Sequence, residues 1–452
     1  MPRNRFRGIL SLSVKIDIAK LMSGAIFNLS NSSGSGLDRS ESLFRAYRLG
    51  AKINALNPGV PKSDRLYMRM AIDYYARVLS ASKKKKFIAA YSLGCPVEIL
   101  YAMQIVPFQL EATGWLLTML TGDAGQLLQA SSEIGLATEI CSVHRLLAGA
   151  FWRQMLPRPN AVIWTNIPCE NSAKAGPLFA SLNACAGFFL DHPYRDAPRE
   201  EGYLVSELIN LISFLEKESG HRLSFSRLTE AINQTKRQIE LCQEISELRK
   251  KVPSPFPSFT FLRMFMTLLL LGGQTEGTEY LKTLRQELAT KARQRKGKAA
   301  SERFRLIDLN LPPLYFIGSL KTLFQEYGVV EVINPFFLDW RPLDLDASQP
   351  LQSLARKSLM NPLMGICDPL GRDTLKRLEQ YVREYRIDGA INYAHIGCGS
   401  FGGASRLVRE ALKKAGVPTL DLSCDITDPT VASPEEMREQ IVRFVELLED
   451  RG

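Results

Sequence analysis

The 452-residue chain has few cysteines for its length, and none of its eight cysteines forms a Cys-x-x-Cys pair. So sparse a set cannot build a disulfide scaffold, and it favours reduced thiols in a cytoplasmic protein. Without a Cys-x-x-Cys pair, the chain lacks the local cysteine spacing that is typical of zinc ribbons, thioredoxins and bacterial ferredoxins. Any metal site must therefore combine cysteines from distant parts of the chain.

The chain also lacks an apolar run long enough to cross a membrane. The longest run, residues 259–273, is only about 15 residues long and contains Arg263, whereas a membrane-spanning helix needs about 20 residues. We expect this run to form a buried helix. The first 40 residues are basic and rich in serine and glycine, which favours a loosely ordered extension over a signal peptide.

A nucleic-acid-binding motif is missing too, although the formal net charge is +10. A basic protein suits an anionic ligand such as a nucleotide-bearing thioester as well as it suits RNA or DNA. The four lysines of residues 83–86 lead into an apolar segment, which is typical of a solvated loop before a buried strand. We predict neither nucleic acid nor a membrane as a partner.

The sequence does contain short apolar strands that alternate with amphipathic helices. Strands are predicted at residues 87–92, 161–165, 304–309, 329–333, 388–393 and 417–422. Residues 200–290 keep the three- and four-residue spacing of helices throughout. This pattern predicts an α/β protein with two Rossmann-like parallel-sheet domains and helical N-terminal and middle segments.

The alternation divides the chain into five predicted segments. They are a loosely ordered basic extension (1–40), a helical lead-in (41–85), a first α/β domain (86–195), a helical segment with a basic linker (196–300) and a second α/β domain (301–452). Apolar residues at helical spacing predict a helix over residues 177–190. A capping box that begins at Ser433 predicts the start of the last helix.

Three cysteines lie where a strand, a loop and a helix follow one another. Cys169 and Cys398 each come shortly after a predicted strand, one in each α/β domain, and Cys141 opens an earlier helix. Because ligands of parallel sheets bind beyond the carboxyl ends of the strands, Cys169 and Cys398 can face one cleft. Thiolates are the standard ligands of iron–sulfur clusters, yet cysteines are also common as small buried side chains. The spacing leaves both interpretations open.

The other five cysteines are predicted mainly as packing residues. Cys185 and Cys242 fall on apolar stripes of helical spacing, whereas Cys367 and Cys424 are placed in loops. Cys424 follows a strand, so the cleft remains open to it. Cys95 also follows a strand, where it suits an additional ligand or a packed thiol, and the packed thiol is the preferred interpretation.

Several segments, taken together and in order, resemble the D-component family of 2-hydroxyacyl-CoA dehydratases, which also contains the paired small subunits of ATP-dependent benzoyl-CoA reductase. The resemblance covers roughly residues 85–190 and 300–450. The matching segments are residues 96–102, 141–145, 168–170, 388–391, 397–398, 416–429 and 438–446. The set is specific, whereas no single motif is decisive.

The resemblance implies a [4Fe–4S] cluster that is held by Cys141, Cys169 and Cys398, with one iron open to a substrate atom. It implies a heterodimer with a homologous cluster-bearing subunit, an ATP-dependent iron–sulfur activator and an acyl-CoA or aryl-CoA substrate. In such a dehydratase one electron turns the thioester carbonyl into a ketyl radical, which expels the 2-hydroxyl group. Ring reduction of an aryl-CoA and electron transfer without catalysis are the two alternatives.

The resemblance also suggests residues beyond the three ligands. Glu98, which starts the helix after the first strand, is the candidate acid/base, although a carboxylate also suits a helix N-terminus. His395 is the second catalytic candidate, or else a loop histidine that is bonded to backbone. Ser142 and His144 flank a proposed ligand, where they can hydrogen-bond to the cluster or the substrate or support the start of their helix.

Overall fold

The structure is a computed structural model that describes residues 41–42, 44–45, 47–49, 51–52, 57, 59–121, 124–194, 198–294, 302–367 and 374–451. It contains two four-stranded parallel sheets with flanking helices, which confirms the predicted fold class. The predicted extension of residues 1–40 and residues 295–301 of the basic linker lie outside the described residues. The boundaries of the five segments stay predictions.

The first sheet has the strand order β2-β1-β3-β4, and all of its neighbouring strands are parallel. Its strands are β1 (Ile88–Tyr91), β2 (Val106–Gln109), β3 (Ala161–Thr165) and β4 (Ala186–Leu190). The helices before and between them are α1 (Lys62–Lys83), α2 (Val97–Ala102), α3 (Leu110–Thr121), α4 (Gly125–Glu133), α5 (Ser142–Trp152) and α6 (Glu170–Asn183). All four residues of β1 are buried, as expected for a central strand that is covered on both faces.

The middle of the chain is helical, as predicted. It consists of α7 (Pro198–Ser219), α8 (Phe225–Arg249), α9 (Thr260–Leu271) and α10 (Thr275–Arg293). The long apolar run forms α9, which is largely buried, and its Arg263 forms an ion pair with Asp64 of α1. Within the described ranges, no helix has both the length and the apolar character that crossing a membrane requires.

The second sheet has the order β6-β5-β7-β8, again with parallel neighbours. Its strands are β5 (Phe304–Leu309), β6 (Val329–Ile333), β7 (Gly389–His395) and β8 (Thr419–Cys424). The helices of this half are α11 (Ile317–Glu326), α12 (Pro335–Leu338), α13 (Pro350–Leu359), α14 (Met364–Cys367), α15 (Thr374–Tyr385), α16 (Gly399–Lys414) and α17 (Pro434–Glu449). The predicted capping box starts α17, since the Ser433 hydroxyl accepts the Glu436 N–H at 3.1 Å.

The predicted helix over residues 177–190 is wrong in its second half. The helix α6 ends at Asn183, Ala184 adopts a left-handed conformation with φ of 48°, and β4 follows. This strand pairs with β3, and the ring of Trp164 lies so close to Gly187 that a Cβ atom there would be 2.6 Å away. Tertiary pairing therefore overrides the local apolar spacing.

The shared strand order of the two sheets determines where a ligand can bind. In each sheet the first and third strands are neighbours, and their connections lead to strands on opposite sides. The loops after these two strands therefore diverge and leave a crevice beyond their carboxyl ends. One crevice lies between the loops after β1 and β3, and the other between the loops after β5 and β7.

Candidate functional site

Each of the three predicted ligand cysteines stands directly before the first residue of a helix. Cys141 precedes α5, Cys169 precedes α6 and Cys398 precedes α16, and none of the three side chains caps its own helix. A helix N-terminus carries a partial positive charge and unsatisfied N–H groups, so it stabilises a nearby anion. The sequence thus places three thiols where helices favour negative charge.

The structure brings these three half-buried, free thiols within electrostatic range of one another. Burial raises the pKa of Cys141 well above its ordinary value, and the Cys169 and Cys398 thiols raise it further. Burial, together with Cys398, raises the pKa of Cys169 to about 12. Because burial and mutual repulsion oppose three bare thiolates, a cationic group between them is what would hold them deprotonated.

Contacts between the two halves of the molecule hold the cysteine loops together. Asn171 of α6 donates a hydrogen bond of 3.0 Å to the Gly397 carbonyl, and the Ser400 hydroxyl donates one of 2.5 Å to Glu170. A Cβ atom on Gly397 would lie 2.8 Å from the Cα of Cys141. The loop after β7 therefore packs directly against the chain that enters α5.

Four buried polar atoms in the first turns of α5 and α6 have no hydrogen-bond partner in the described part of the chain. They are Ser142 Oγ, His144 Nδ1, Arg145 Nε and Ser172 Oγ, and each side chain is at most 5% exposed. Each lies within four positions of a candidate ligand cysteine. A buried donor without an acceptor costs about 1–3 kcal/mol. A group beside these cysteines with sulfur atoms as acceptors fits the donors among them.

The predicted residues Ser142 and His144 lie in the first turn of α5, and both are buried. The Nε2 atom of His144 is 3.4 Å from Glu111 Oε1. Glu111 also accepts the N–H of Leu93, in the loop after β1. Their roles toward a cofactor stay predictions, but the geometry connects the start of α5 to the end of β1.

The three cysteines and their described neighbours do not form a site for a single metal ion. Among the described residues, no three His, Cys, Asp or Glu side chains are grouped closely enough to hold one ion. The thiolates of a four-iron cluster bind different irons, so they stand further apart than the ligands of one ion. Ligation of a cluster by the three cysteines stays a prediction.

His395 is buried, and both of its ring nitrogens have neighbours. Nε2 lies 2.6 Å from the Leu311 carbonyl oxygen, which only accepts, so Nε2 carries the proton; Nδ1 lies 3.5 Å from the thiol of Cys424. Burial lowers the pKa of His395, against the opposing effect of Asp425. Cys424 was predicted in a loop but is the last residue of β8. The catalytic role of His395 stays a prediction.

Glu98 is fully buried in the first turn of α2. Its Oε1 accepts the Thr235 hydroxyl at 2.8 Å and forms an ion pair with Lys357 of α13. Its Oε2 has no partner in the described ranges. Sequence reasoning missed Lys357, because 259 positions separate it from Glu98 and no motif marks it. The acid/base role of Glu98 stays a prediction.

A cleft lies beside the Glu98–Lys357 pair, with about 530 Å³ of empty space including its open mouth. We name it the β1–α9 cleft. Its lining includes residues 93–97 after β1, Phe265, Leu268 and Leu269 of α9, and Trp340 and Lys357 from the second half. A Cβ atom on Gly94 would lie 2.7 Å from the Ile167 carbonyl oxygen. One wall of the cleft thus packs against the loop that carries Cys169.

The other cysteines lie in varied environments. Cys95 lines the β1–α9 cleft, and its thiol is 3.8 Å from the Ile163 carbonyl oxygen. Burial and then Glu111 raise its pKa, which suits a packed thiol. Cys367 ends α14 instead of lying in a loop, and its thiol donates to the Pro168 carbonyl at 3.5 Å. Cys185 follows α6 instead of lying on a helical stripe, whereas Cys242 is buried in α8, as predicted.

Residues 92–448 match the family model described as 2-hydroxyglutaryl-CoA dehydratase, D-component. A benzoyl-CoA reductase subunit of Thauera aromatica is 21% identical over 436 residues, which cover 87% of this chain and 97% of that protein. A lactoyl-CoA dehydratase subunit of Anaerotignum propionicum, the alpha chain, is 22% identical over 304 residues, which cover 65% of this chain and 70% of that protein. All three cysteines and the β1–α9 cleft fall within the matched range.

Proposed function

The chain belongs to the family of 2-hydroxyglutaryl-CoA dehydratase D-components, and on this basis we propose that it is the iron–sulfur subunit of a 2-hydroxyacyl-CoA dehydratase. The proposed reaction eliminates water from a 2-hydroxyacyl-CoA thioester after one-electron activation. The observation that supports it most is the meeting of Cys141, Cys169 and Cys398 at three helix N-termini, beside buried polar atoms that lack partners in the described part of the chain.

The proposed cofactor is a [4Fe–4S] cluster that is held by the thiolates of Cys141, Cys169 and Cys398. When bound, such a cluster supplies a low-potential electron and an iron that polarises a carbonyl oxygen. The helix N-termini favour the thiolate forms of the ligands. Ser142 and Arg145, both buried within four positions of Cys141, are donors suited to its sulfur atoms.

Glu98 and His395 are the proposed acid/base groups. Their hydrogen-bond partners indicate which of them is the stronger candidate. Oε1 of Glu98 is engaged by Lys357 and Thr235, so a proton must move through Oε2. Leu311 and Cys424 occupy the two ring nitrogens of His395. Because Oε2 of Glu98 has no hydrogen-bond partner among the described residues while both ring nitrogens of His395 have one, Glu98 is the stronger candidate.

The proposed partners are a homologous cluster-bearing subunit and an ATP-dependent iron–sulfur activator. Both relatives are subunits by name, which supports a multi-subunit enzyme. An acyl-CoA or aryl-CoA thioester is the proposed substrate, and its phosphates suit a chain with a formal charge of +10. The absence of disulfide spacing favours a cytoplasmic enzyme.

Turnover by the anaerobically purified chain, with its partner subunit, activator, ATP and reductant, tests the proposed reaction. We expect a 2-hydroxyacyl-CoA to lose water and give an enoyl-CoA, detected by mass spectrometry. A benzoyl-CoA-reductase-type subunit is the second candidate, because the similarity covers 97% of the Thauera aromatica reductase subunit. A dienoyl product from benzoyl-CoA, with no turnover of 2-hydroxyacyl-CoA, would make the dehydratase proposal wrong. Bound iron without either reaction would favour a cluster-carrying protein.

Substitution of Gly397 tests whether the cysteines must be held together by the loop after β7. In Gly397→Ala the new Cβ would lie 2.8 Å from the Cα and 2.9 Å from the N of Cys141, so the loop with Cys398 must move away from α5. We expect a several-fold loss of bound iron after anaerobic reconstitution. Iron per chain and circular dichroism are the measurements.

The control for this variant is Gly402→Ala on α16. A Cβ atom there meets no atom within 4 Å, and alanine favours a helix. We expect Gly402→Ala to bind as much iron as the wild type. The same iron content in both variants would show that the contact between Gly397 and Cys141 does not position the cysteines.

A further inference from the structure

Most of the side chains that line the β1–α9 cleft are apolar. Its apolar lining comes from three parts of the chain, namely Val97, then Phe265, Leu268 and Leu269, and finally Trp340. Apolar surface of this kind gains free energy when it covers an apolar group and gains little from a charged one. The cleft also touches the loop that carries Cys169, through the close approach of Gly94 to Ile167.

The charge of Lys357 is already compensated. Among the described lining residues, Lys357 is the one charged side chain, and its Nζ forms an ion pair with Glu98, which is 0% exposed. A ligand carboxylate that paired with Lys357 would leave the Glu98 carboxylate buried without its cation. Breaking a buried pair in this way is strongly unfavourable, so the cleft has no spare positive charge for an acidic ligand.

The polar part of the described lining other than Lys357 is uncharged and consists of Ser358 and Asn361. A hydroxyl and a side-chain amide can each donate a hydrogen bond to an acceptor such as a carbonyl oxygen. Largely apolar walls with uncharged polar groups and no net charge suit an uncharged acyl group that carries one carbonyl.

We infer that the β1–α9 cleft receives the acyl part of a CoA thioester and selects an uncharged, apolar acyl group over a dicarboxylic one. This inference rests on the proposed function, because it assumes a CoA thioester as the ligand. The inferred substrate therefore differs from 2-hydroxyglutaryl-CoA, the acidic thioester in the name of the matching family model. The Glu98–Lys357 ion pair and the apolar walls determine the specificity.

The experiment compares the equilibrium binding of benzoyl-CoA and glutaryl-CoA to the full chain by isothermal titration calorimetry. Their acyl groups have the same number of non-hydrogen atoms but differ in charge. We expect benzoyl-CoA to bind at least about tenfold more tightly. Equal affinities, or tighter binding of glutaryl-CoA, would overturn the inference.

Two variants test whether the Glu98–Lys357 ion pair causes the preference for benzoyl-CoA over glutaryl-CoA. Glu98→Gln leaves the charge of Lys357 uncompensated, so we expect glutaryl-CoA to gain at least about tenfold in affinity relative to benzoyl-CoA. The double variant Glu98→Gln with Lys357→Met removes both charges and should keep the wild-type preference. A preference that is the same in all three proteins would overturn the role of Lys357.

Iron content distinguishes failure of this inference from failure of the proposed function. The affinity ratio does not require a cluster, whereas iron and sulfide assays on the same preparation do not depend on the acyl group. Protein that holds iron but binds both thioesters equally would overturn the inference alone. Protein that prefers benzoyl-CoA but never holds iron would overturn the proposed cluster alone.

Discussion

Alanine at Cys141, Cys169 or Cys398 is expected to remove most of the iron that the chain binds. The wild type should hold about four irons and four sulfides after anaerobic reconstitution, and each variant less than about one iron. In the proposed site each cysteine would bind a different iron, and the thiols are only half-buried, so the two ligands left in a variant would hold an open, solvent-exposed cluster. Iron and sulfide assays, with electron paramagnetic resonance of the reduced protein, are the measurements.

Cys185→Ala is the matched control for these variants. Cys185 is also half-buried, but it lies between α6 and β4 instead of at a helix N-terminus. Burial raises its pKa to about 11, which is typical of a packed thiol. We expect wild-type iron in this variant. Wild-type iron in all four variants, or no iron even in the wild-type protein, would show that the three-thiolate site is wrong.

Cys95→Ala extends the series to the fifth cysteine of interest. The sequence left Cys95 open as an additional ligand, and the structure places its thiol 3.8 Å from the Ile163 carbonyl oxygen. A thiol engaged with the backbone of β3 is poorly placed to bind iron. We therefore expect full iron content, and loss of iron would identify Cys95 as a ligand.

Part of the candidate site follows from sequence because strand ends are local features. The alternation of strands and helices places Cys169 and Cys398 at carboxyl ends of strands, and Cys141 at the start of a helix. Their proximity is not local, since it depends on packing of Gly397 against Cys141. Neither this contact nor the bond from Asn171 to the Gly397 carbonyl has a signature in the sequence.

Ion pairs between residues that are distant in the sequence could not be predicted for the same reason. A buried carboxylate such as Glu98 requires a partner, but the sequence contains 57 lysines and arginines. Only the packing of α13 against the first half selects Lys357.

The sequence analysis missed the strands β2 and β4, although neither is shorter than β1, which it predicted. The strand β2 has four residues, includes Pro107 and was not predicted; its order beside β1 depends on parallel pairing. The sequence shows no internal repeat, although both sheets have the same strand order. Topology is set by which apolar faces meet, so different sequences reach the same order.

A buried ion pair connects α8 to the second sheet. Arg249 of α8 and Glu331 of β6 are both 0% exposed, with Nη2 and Oε1 2.5 Å apart. The other oxygen of Glu331 accepts the N–H of Phe259 at 3.0 Å. Burial, and then Glu331, raise the pKa of the neighbouring Asp308 well above its ordinary value, so this site does not accommodate a second carboxylate charge easily.

Glu331→Ala is therefore expected to lower the free energy of unfolding by about 3–5 kcal/mol, because it leaves the Arg249 guanidinium buried without a counter-charge. Urea unfolding that is followed by circular dichroism measures the change. Glu326→Ala is the matched control, since its ion pair with Arg438 is about half exposed on both sides, and exposed pairs contribute about 0–1 kcal/mol. The double variant Arg249→Met with Glu331→Leu should recover stability relative to Glu331→Ala, because no unpaired charge remains. Equal unfolding free energies for Glu331→Ala and Glu326→Ala would contradict the assigned role of this pair.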